Sequence, residues 1–128
     1  MAEIQAKLQS LSEDYQKLQQ ELQEAVASRQ KLQAQRTENE GVKKEFERLK
    51  DGESIYKLVG PILLRQDKIE ADSTVKGRIE FIGKEVERTE KQIKDIQDKI
   101  EKKKTEIIQI QSAAQAGAGG PGQVAAAA

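Results

Sequence analysis

The chain contains no cysteine, no histidine and no tryptophan, and only 3% of its 128 residues are aromatic. Without thiolate or imidazole groups it lacks the commonest zinc ligands, a cysteine nucleophile, a histidine general base and any disulfide. So few aromatic residues also argue against a thick globular core. We therefore expect a protein that is not an enzyme, and we assign no catalytic residue, no metal site and no cofactor.

The chain also has no excess of positive or negative charge. Charged residues make up 34% of the chain, and 22 lysines and arginines balance 22 aspartates and glutamates. Interspersed charges with a net charge of zero create no long-range field to attract nucleic acid or an anionic membrane. The first residues lack a secretory signal, and no apolar run is long enough to span a bilayer. We expect a cytoplasmic protein that holds its partners by shape and apolar contact, and neither nucleic acid nor a membrane is expected among them.

The first part of the chain carries an apolar repeat at intervals of four and three residues, which is typical of a coiled coil. Arg29 interrupts the repeat, and the spacing slips after Leu32 before it resumes in a shifted phase at Val42. The pattern predicts a helix over 4–50, with Gly52 in the left-handed position that ends it. The repeat consists of Ile4, Leu8, Leu11, Tyr15, Leu18, Leu22, Ala25 and Leu32.

A second repeat in the last part of the chain keeps its phase throughout and predicts a helix over 73–111. Asp72, Ser73 or Thr74 is a suitable residue to cap its start. Because its seam is mostly β-branched, this helix needs a partner helix to bury it. The repeat consists of Val75, Ile79, Ile82, Val86, Thr89, Ile93, Ile96, Ile100, Lys103, Ile107, Ile110 and Ala114.

The segment 54–66 between the two repeats is rich in strand-forming residues and has Gly60 and Pro61 at its centre. Glycine suits the first central position of a type II′ turn and proline the second, so the sequence predicts a β-hairpin. A two-residue loop sets three cross-strand pairs, namely Val59 with Ile62, Leu58 with Leu63 and Lys57 with Leu64.

Both faces of this hairpin are apolar. One face carries Ile55, Val59, Ile62 and Leu64, and the other carries Tyr56, Leu58 and Leu63. A lone hairpin is marginal in water, and open apolar edges invite aggregation. We infer a mainly α-helical chain, an antiparallel two-helix coiled coil with one hairpin between the helices, that forms an oligomer by joining hairpins.

Three features have a functional interpretation beside a structural one. Polar Arg29 and Lys103 in the seams are interpreted as controls of helix register rather than as ligand contacts. Residues 117–122 match the dinucleotide pattern G-x-G-x-x-G, but they lie in the Ala/Gly-rich segment 112–128, which predicts a disordered tail. The apolar residues near the free helix ends indicate either a frayed helix end or an apolar tip that binds other proteins.

The chain resembles prefoldin over residues from about 4 to 111, and a single hairpin matches the family's β-type subunits. The hairpin motif is the specific part of the resemblance. It rests on the segments TENE at 37–40 and VKKE at 42–45, YKLVGPILL at 56–64, and Val75 followed by RIEFI at 78–82.

The resemblance implies a single prefoldin-like domain over 1–111 in a heterohexamer of two α-type and four β-type subunits, whose hairpins assemble into a β-barrel. It also implies an ATP-independent co-chaperone that captures unfolded clients, such as actin and tubulin, and delivers them to the cytosolic group II chaperonin. The barrel contacts would be Ile55, Tyr56, Leu58, Val59, Ile62, Leu63 and Leu64. The client-binding tip would contain Ile4, Leu8, Ile107, Ile108 and Ile110. The alternative is a structural coiled-coil tether or scaffold subunit that binds no clients.

Overall fold

The computed structural model describes residues 1–127, with side chains described as far as Gly117. Its elements follow one another as helix α1 (Ala2–Arg48), strand β1 (Ile55–Val59), strand β2 (Ile62–Gln66) and helix α2 (Lys68–Ala127). Two long helices with a hairpin between them confirm the mainly α-helical architecture that the sequence predicts.

The hairpin has the predicted register. β1 and β2 are antiparallel, with Val59 opposite Ile62, Leu58 opposite Leu63 and Lys57 opposite Leu64. Gly60 has a φ of +59°, which is the left-handed conformation that the first central position of a type II′ turn requires. A two-residue loop leaves no freedom in the pairing of the strands, so this turn fixes which side chains share a face.

The chain divides into two compact units. One consists of Val26–Lys91 and holds the hairpin with the parts of α1 and α2 that flank it, and the other consists of Met1–Ala25 together with Gln92–Ala128. In the hairpin unit the buried side chains are Ala71, Val75, Ile82, Val86 and Thr89. In the other unit they are Leu11, Ala25 and Ile96. Each core is thus a single seam between helices rather than a globular interior.

The seam of α2 is the one predicted from the sequence. Every member of the second repeat, from Val75 to Ala114, is buried or half-buried. Thr89 is the polar exception among the buried side chains, and its hydroxyl Oγ1 donates a hydrogen bond of 2.8 Å to the carbonyl oxygen of Glu85. A threonine is tolerated in this seam because its hydroxyl is satisfied within its own helix.

The seam of α1 corrects the prediction of a phase slip. Half-buried positions continue at intervals of three and four through Arg36, Asn39, Lys43 and Phe46, whereas Val42 is exposed. Long polar side chains can occupy a seam by burying their stems and leaving the polar head in water. The apparent slip arises because an apolar-only count overlooks these positions.

The end of α1 differs from the prediction by two residues. The helix ends at Arg48, and Gly52, with a φ of +89°, lies beyond it. The amide N–H of Glu53 donates a hydrogen bond of 3.1 Å to the carbonyl oxygen of Lys50. Gly52 therefore serves as the left-handed residue of a β-turn after the helix and not as the helix cap itself.

α2 begins five residues before its predicted start, at Lys68 rather than at residue 73. The carbonyl oxygen of Asp67 accepts a hydrogen bond of 2.9 Å from the amide N–H of Ala71, so Asp67 has the position of the N-cap. Ala71 is buried and lies four residues before Val75, so it extends the seam by one turn. Asp67 and Glu70 have the spacing of a capping box, a signal that the sequence contains.

α2 also ends later than predicted. The sequence predicts a helix end at residue 111 and a disordered tail over 112–128, whereas the backbone of α2 continues to Ala127. Alanine and glutamine in this segment are good helix formers, whereas its four glycines and Pro121 are poor ones, so local propensity alone does not explain the continued helix. Residue 128, and the side chains after Gly117, lie outside the described residues.

Candidate functional site

The hairpin carries an apolar surface that this chain does not cover. We define the hairpin surface as the seven residues predicted from the sequence, Ile55, Tyr56, Leu58, Val59, Ile62, Leu63 and Leu64. Ile55 is half-buried, and the other six are between 47% and 69% exposed. Full burial of one such side chain is worth roughly 1.5–3 kcal/mol, so leaving six of them in water forgoes a large stabilisation.

The hairpin surface has two faces and two open edges. Side chains alternate between the faces along each strand, and exposed apolar residues lie on both. Among the described residues no third strand pairs with either β1 or β2. The hairpin can therefore form further backbone hydrogen bonds at its edges, as donor and as acceptor, and apolar contacts on both faces.

The helices support the hairpin only at the end that lies away from its turn. Ile55 and Gln66, which pair with each other, are half-buried, and Ile55 lines a pocket together with Phe46 and Val75. The turn end has no such support, since Val59 and Ile62 are both exposed. The core of the hairpin unit thus positions the hairpin without covering it.

A second apolar surface lies at the free ends of the helices. We define the helix-end surface as the five predicted residues Ile4, Leu8, Ile107, Ile108 and Ile110. Leu8, Ile107 and Ile110 are half-buried in the seam, whereas Ile4 is at the limit of exposure and Ile108, which lies off the seam, is 52% exposed. The start of α1 and these α2 residues belong to the same compact unit.

Arg29, the polar interruption of the first repeat, forms an ion pair between the helices. Its Nη2 and Nε atoms lie 2.9 Å and 3.1 Å from Oε1 of Glu90. Both side chains are largely solvated, so the pair contributes little to stability. Its geometry favours one pairing of the helices, which agrees with the interpretation of Arg29 as a register control.

Lys103, the polar residue of the second repeat, has an equivalent arrangement in the other unit. Its Nζ lies 3.7 Å from Oδ2 of Asp14 on α1 and 4.0 Å from Oε2 of Glu106 on its own helix. Both neighbours are acidic side chains of this chain. They account for the lysine without a bound ligand.

Five exposed apolar residues lie outside the sites predicted from the sequence, namely Met1, Val26, Val42, Ile69 and Phe81, and the most exposed of them are Met1, Ile69 and Phe81. Met1 adjoins the helix-end surface. Ile69 precedes the helix start predicted at residue 73 and belongs to neither apolar repeat, so the sequence pattern gives no signal for it. Phe81 lies off the seam of α2, and its exposure is not evident from the repeat alone.

Among the described residues, no three aspartate or glutamate side chains gather into a metal-binding group. Neither helix, over its described length, is apolar enough to cross a membrane. Lys76 has a raised pKa because it hydrogen-bonds to Asp72 and is attracted by that carboxylate, and their Nζ and Oδ2 atoms are 2.7 Å apart. This is an exposed ion pair within α2. An exposed i,i+4 ion pair of this kind is a common feature of helix surfaces and does not by itself indicate chemistry.

Comparison with known proteins places the chain in a family. The model of the family described as "Prefoldin subunit" matches residues 9–114. The chain is 41% identical over 128 residues to Prefoldin subunit 6 of Bos taurus, covering 96% of this chain and 99% of the relative. It is 40% identical over 116 residues to Prefoldin subunit 6 of Saccharomyces cerevisiae, covering 91% of this chain and all of the relative.

A solved structure has the same fold. The crystal structure of the prefoldin beta subunit from Thermococcus strain KS-1 superposes with a TM-score of 0.73 at 31% sequence identity. The superposition covers 84% of this chain and 91% of that chain.

Proposed function

This chain belongs to the prefoldin family of chaperone subunits, and from that premise we propose that it is one subunit of an ATP-independent hexameric co-chaperone. The complex captures unfolded proteins at the ends of its helices and delivers them to the cytosolic group II chaperonin. Membership of the family already means that the chain is a chaperone subunit rather than an enzyme and that it assembles with other prefoldin subunits.

The observation that carries the proposal is the two-sided exposure of the hairpin surface. In a closed barrel each strand finds a neighbour at both edges, which removes the open edges, one face turns inward, and side chains of neighbouring strands contact one another on both faces. We therefore assign Ile55, Tyr56, Leu58, Val59, Ile62, Leu63 and Leu64 to the contacts between subunits. A heterohexamer of two α-type and four β-type subunits is the arrangement that the resemblance implies.

Client capture is assigned to the helix-end surface. Unfolded chains expose apolar side chains, and the exposed side chains of Ile4 and Ile108 offer them contact without disrupting the seam. One such surface binds weakly. Several of them on one assembly raise the effective concentration of binding sites, so a client that leaves one surface is retained by another.

Clients and destination follow from the family rather than from this chain. Actin and tubulin are the expected clients, and release to the chaperonin requires competition for the client and no nucleotide. These partners imply that the protein works in the cytoplasm.

The alternative is a structural tether, in which the hairpin joins the chain to a scaffold and the helix ends bind nothing. The tether hypothesis predicts the same assembly through the hairpin surface. It differs in predicting that replacement of Ile108 leaves client capture by the complex unchanged.

The test measures aggregation of a chemically denatured protein diluted into buffer without ATP, in the presence of the complex made by co-expression with its partner subunits. Ile108→Ser combined with Ile4→Ser should raise the concentration needed for half-suppression at least threefold. The matched control is Val26→Ser, because Val26 is 38% exposed and Ile4 is 36% exposed, yet Val26 lies in the hairpin unit.

Circular dichroism and native mass keep the outcome interpretable, since both variants must retain helix content and assembly. Undiminished suppression by an intact double variant would remove the helix-end assignment and favour the tether. A complex that suppresses aggregation only with ATP would contradict the proposed mechanism.

A further inference from the structure

The first turn of α2 exposes a bulky apolar side chain beside the hairpin. Ile69 is 78% exposed and lies three residues after Gln66, the last residue of β2. Only Asp67 stands between the strand and the helix. Ile69 is thus part of neither the seam nor the hairpin surface, and nothing in its own unit covers it.

Ile69 borders an open groove in the hairpin unit. The groove has a volume of about 420 Å³ and is lined by Phe46 and Glu47 of α1 and by Lys68, Ile69, Asp72 and Lys76 of α2. The groove's apolar lining is half-buried Phe46 and exposed Ile69, and its charged lining includes the Asp72–Lys76 ion pair. A lining of apolar and charged side chains together has the composition of a protein–protein contact.

The geometry of the hairpin determines what comes near this groove. A neighbouring hairpin that adds its first strand antiparallel to the open edge of β2 places its second strand parallel to β2 and two strand spacings, about 9.6 Å, away. If the neighbour passes from strand to helix in one residue, as this chain does at Asp67, its helix must start beside the first turn of α2. Packed helices have axes about 8–10 Å apart, so joining the hairpins brings two helices to packing distance at this place.

We propose that Ile69 and the groove beside it form a second contact between subunits, in which the first turns of the neighbouring prefoldin subunit's hairpin-flanking helix cover Ile69. The contact is continuous with the hairpin surface and rests on the proposed assembly through that surface. It extends the interface from the barrel onto the base of the coiled coil, and it helps to set the angle at which the helices leave the barrel.

The experiment compares three variants of the full chain, each co-expressed with the partner subunits. Ile69→Gln should weaken assembly at least tenfold, measured as the concentration at which the native mass of the complex falls to that of its parts. Phe81→Gln is the matched control, because Phe81 is also on α2 and 65% exposed but lies twelve residues, about 18 Å, further along the helix. Leu58→Gln tests the hairpin surface separately.

A photo-crosslinking amino acid at position 69 provides a direct measurement that does not depend on stability. Illumination of the assembled complex should join position 69 to a peptide from the hairpin-flanking helix of another prefoldin subunit. The same amino acid at position 81 should give no such product.

The outcomes separate this inference from the proposed function. Normal assembly of Ile69→Gln and no subunit cross-link from position 69 would overturn the second contact, while loss of assembly in Leu58→Gln would leave the hairpin interface standing. Loss of assembly in neither variant would overturn both. A cross-link from position 69 to a bound client, with assembly unchanged, would make the groove a client site and contradict the inference.

Discussion

Gly60 has a left-handed backbone conformation and Gly41 a helical one, so replacing each by alanine should change the stability in opposite directions. Gly60 has a φ of +59° in the hairpin turn, a conformation that a side chain disfavours by roughly 1–2 kcal/mol. Gly41 lies within helix α1, where an added Cβ would meet nothing within 4 Å. There glycine costs about 1 kcal/mol relative to alanine.

Gly60→Ala should therefore lower the free energy of unfolding of the assembled complex by about 1 kcal/mol, because it strains the turn. Gly41→Ala should raise it by about 1 kcal/mol, because it removes backbone freedom from the unfolded chain. Urea unfolding followed by circular dichroism measures both. Equal shifts of the same sign would contradict the assignment of the two backbones.

The raised pKa of Lys76 predicts a specific dependence on pH. The ammonium group hydrogen-bonds to Asp72 and is stabilised by its charge, so the pair contributes to stability below the ordinary lysine pKa of 10.5. The contribution is lost as the pH rises through the raised pKa of the folded state. NMR titration of Lys76 Nζ should give a midpoint above the ordinary value in the native chain and a lower midpoint in Asp72→Asn. Identical midpoints would show that the ion pair does not persist in solution.

At the scale of the elements, turn chemistry and apolar periodicity account for what the sequence could predict. Gly60 and Pro61 suit the two central positions of a type II′ turn, and a two-residue loop at this place gives the register that the structure has. The seam of α2 was predictable because nearly all its members are apolar. The hairpin surface could be named because both faces of a short hairpin carried large apolar side chains.

The misses have equally particular causes. Arg36, Asn39 and Lys43 occupy seam positions of α1 that an apolar pattern cannot detect. The start of α2 was placed at the strong capping candidates near Asp72, although the buried Ala71 extends the seam backwards to the first turn. That error concealed Ile69.

The pairing of α1 with α2 in the hairpin unit should respond to a reversal of charge. Arg29→Glu or Glu90→Arg alone places like charges together where the atoms are now 2.9 Å apart, and either should lower the stability of the complex by roughly 0.2–1 kcal/mol. The combination of both changes should restore most of it. Thermal unfolding at low and high salt measures this, since an exposed pair is weakened by screening. If the stability losses of the two single variants simply added up in the double variant, the ion pair would have no part in the pairing of the helices.

At the scale of the whole molecule, the chain combines helices that bury one another with a hairpin that buries almost nothing. We therefore expect its stability to rise with the concentration of its partners. The seams supply only a thin core, and burial of the exposed hairpin surface would add roughly 1.5–3 kcal/mol for each fully covered side chain.

Assembly should depend on both faces of the hairpin. Leu58→Gln alters one face and Val59→Gln the other, and we expect either to reduce the native mass of the co-expressed complex at micromolar concentration. Helix content should change little, because both residues are exposed and distant from the seam. Native mass spectrometry measures the change. Full assembly of one variant would restrict the interface to the opposite face.

The most direct test examines this chain alone, by sedimentation at submicromolar concentration together with hydrogen exchange of its hairpin amides. A hairpin that depends on neighbours should either recruit further copies of the chain or leave its amides unprotected. A sedimenting monomer whose hairpin amides exchange as slowly as those of the α2 seam would contradict this account.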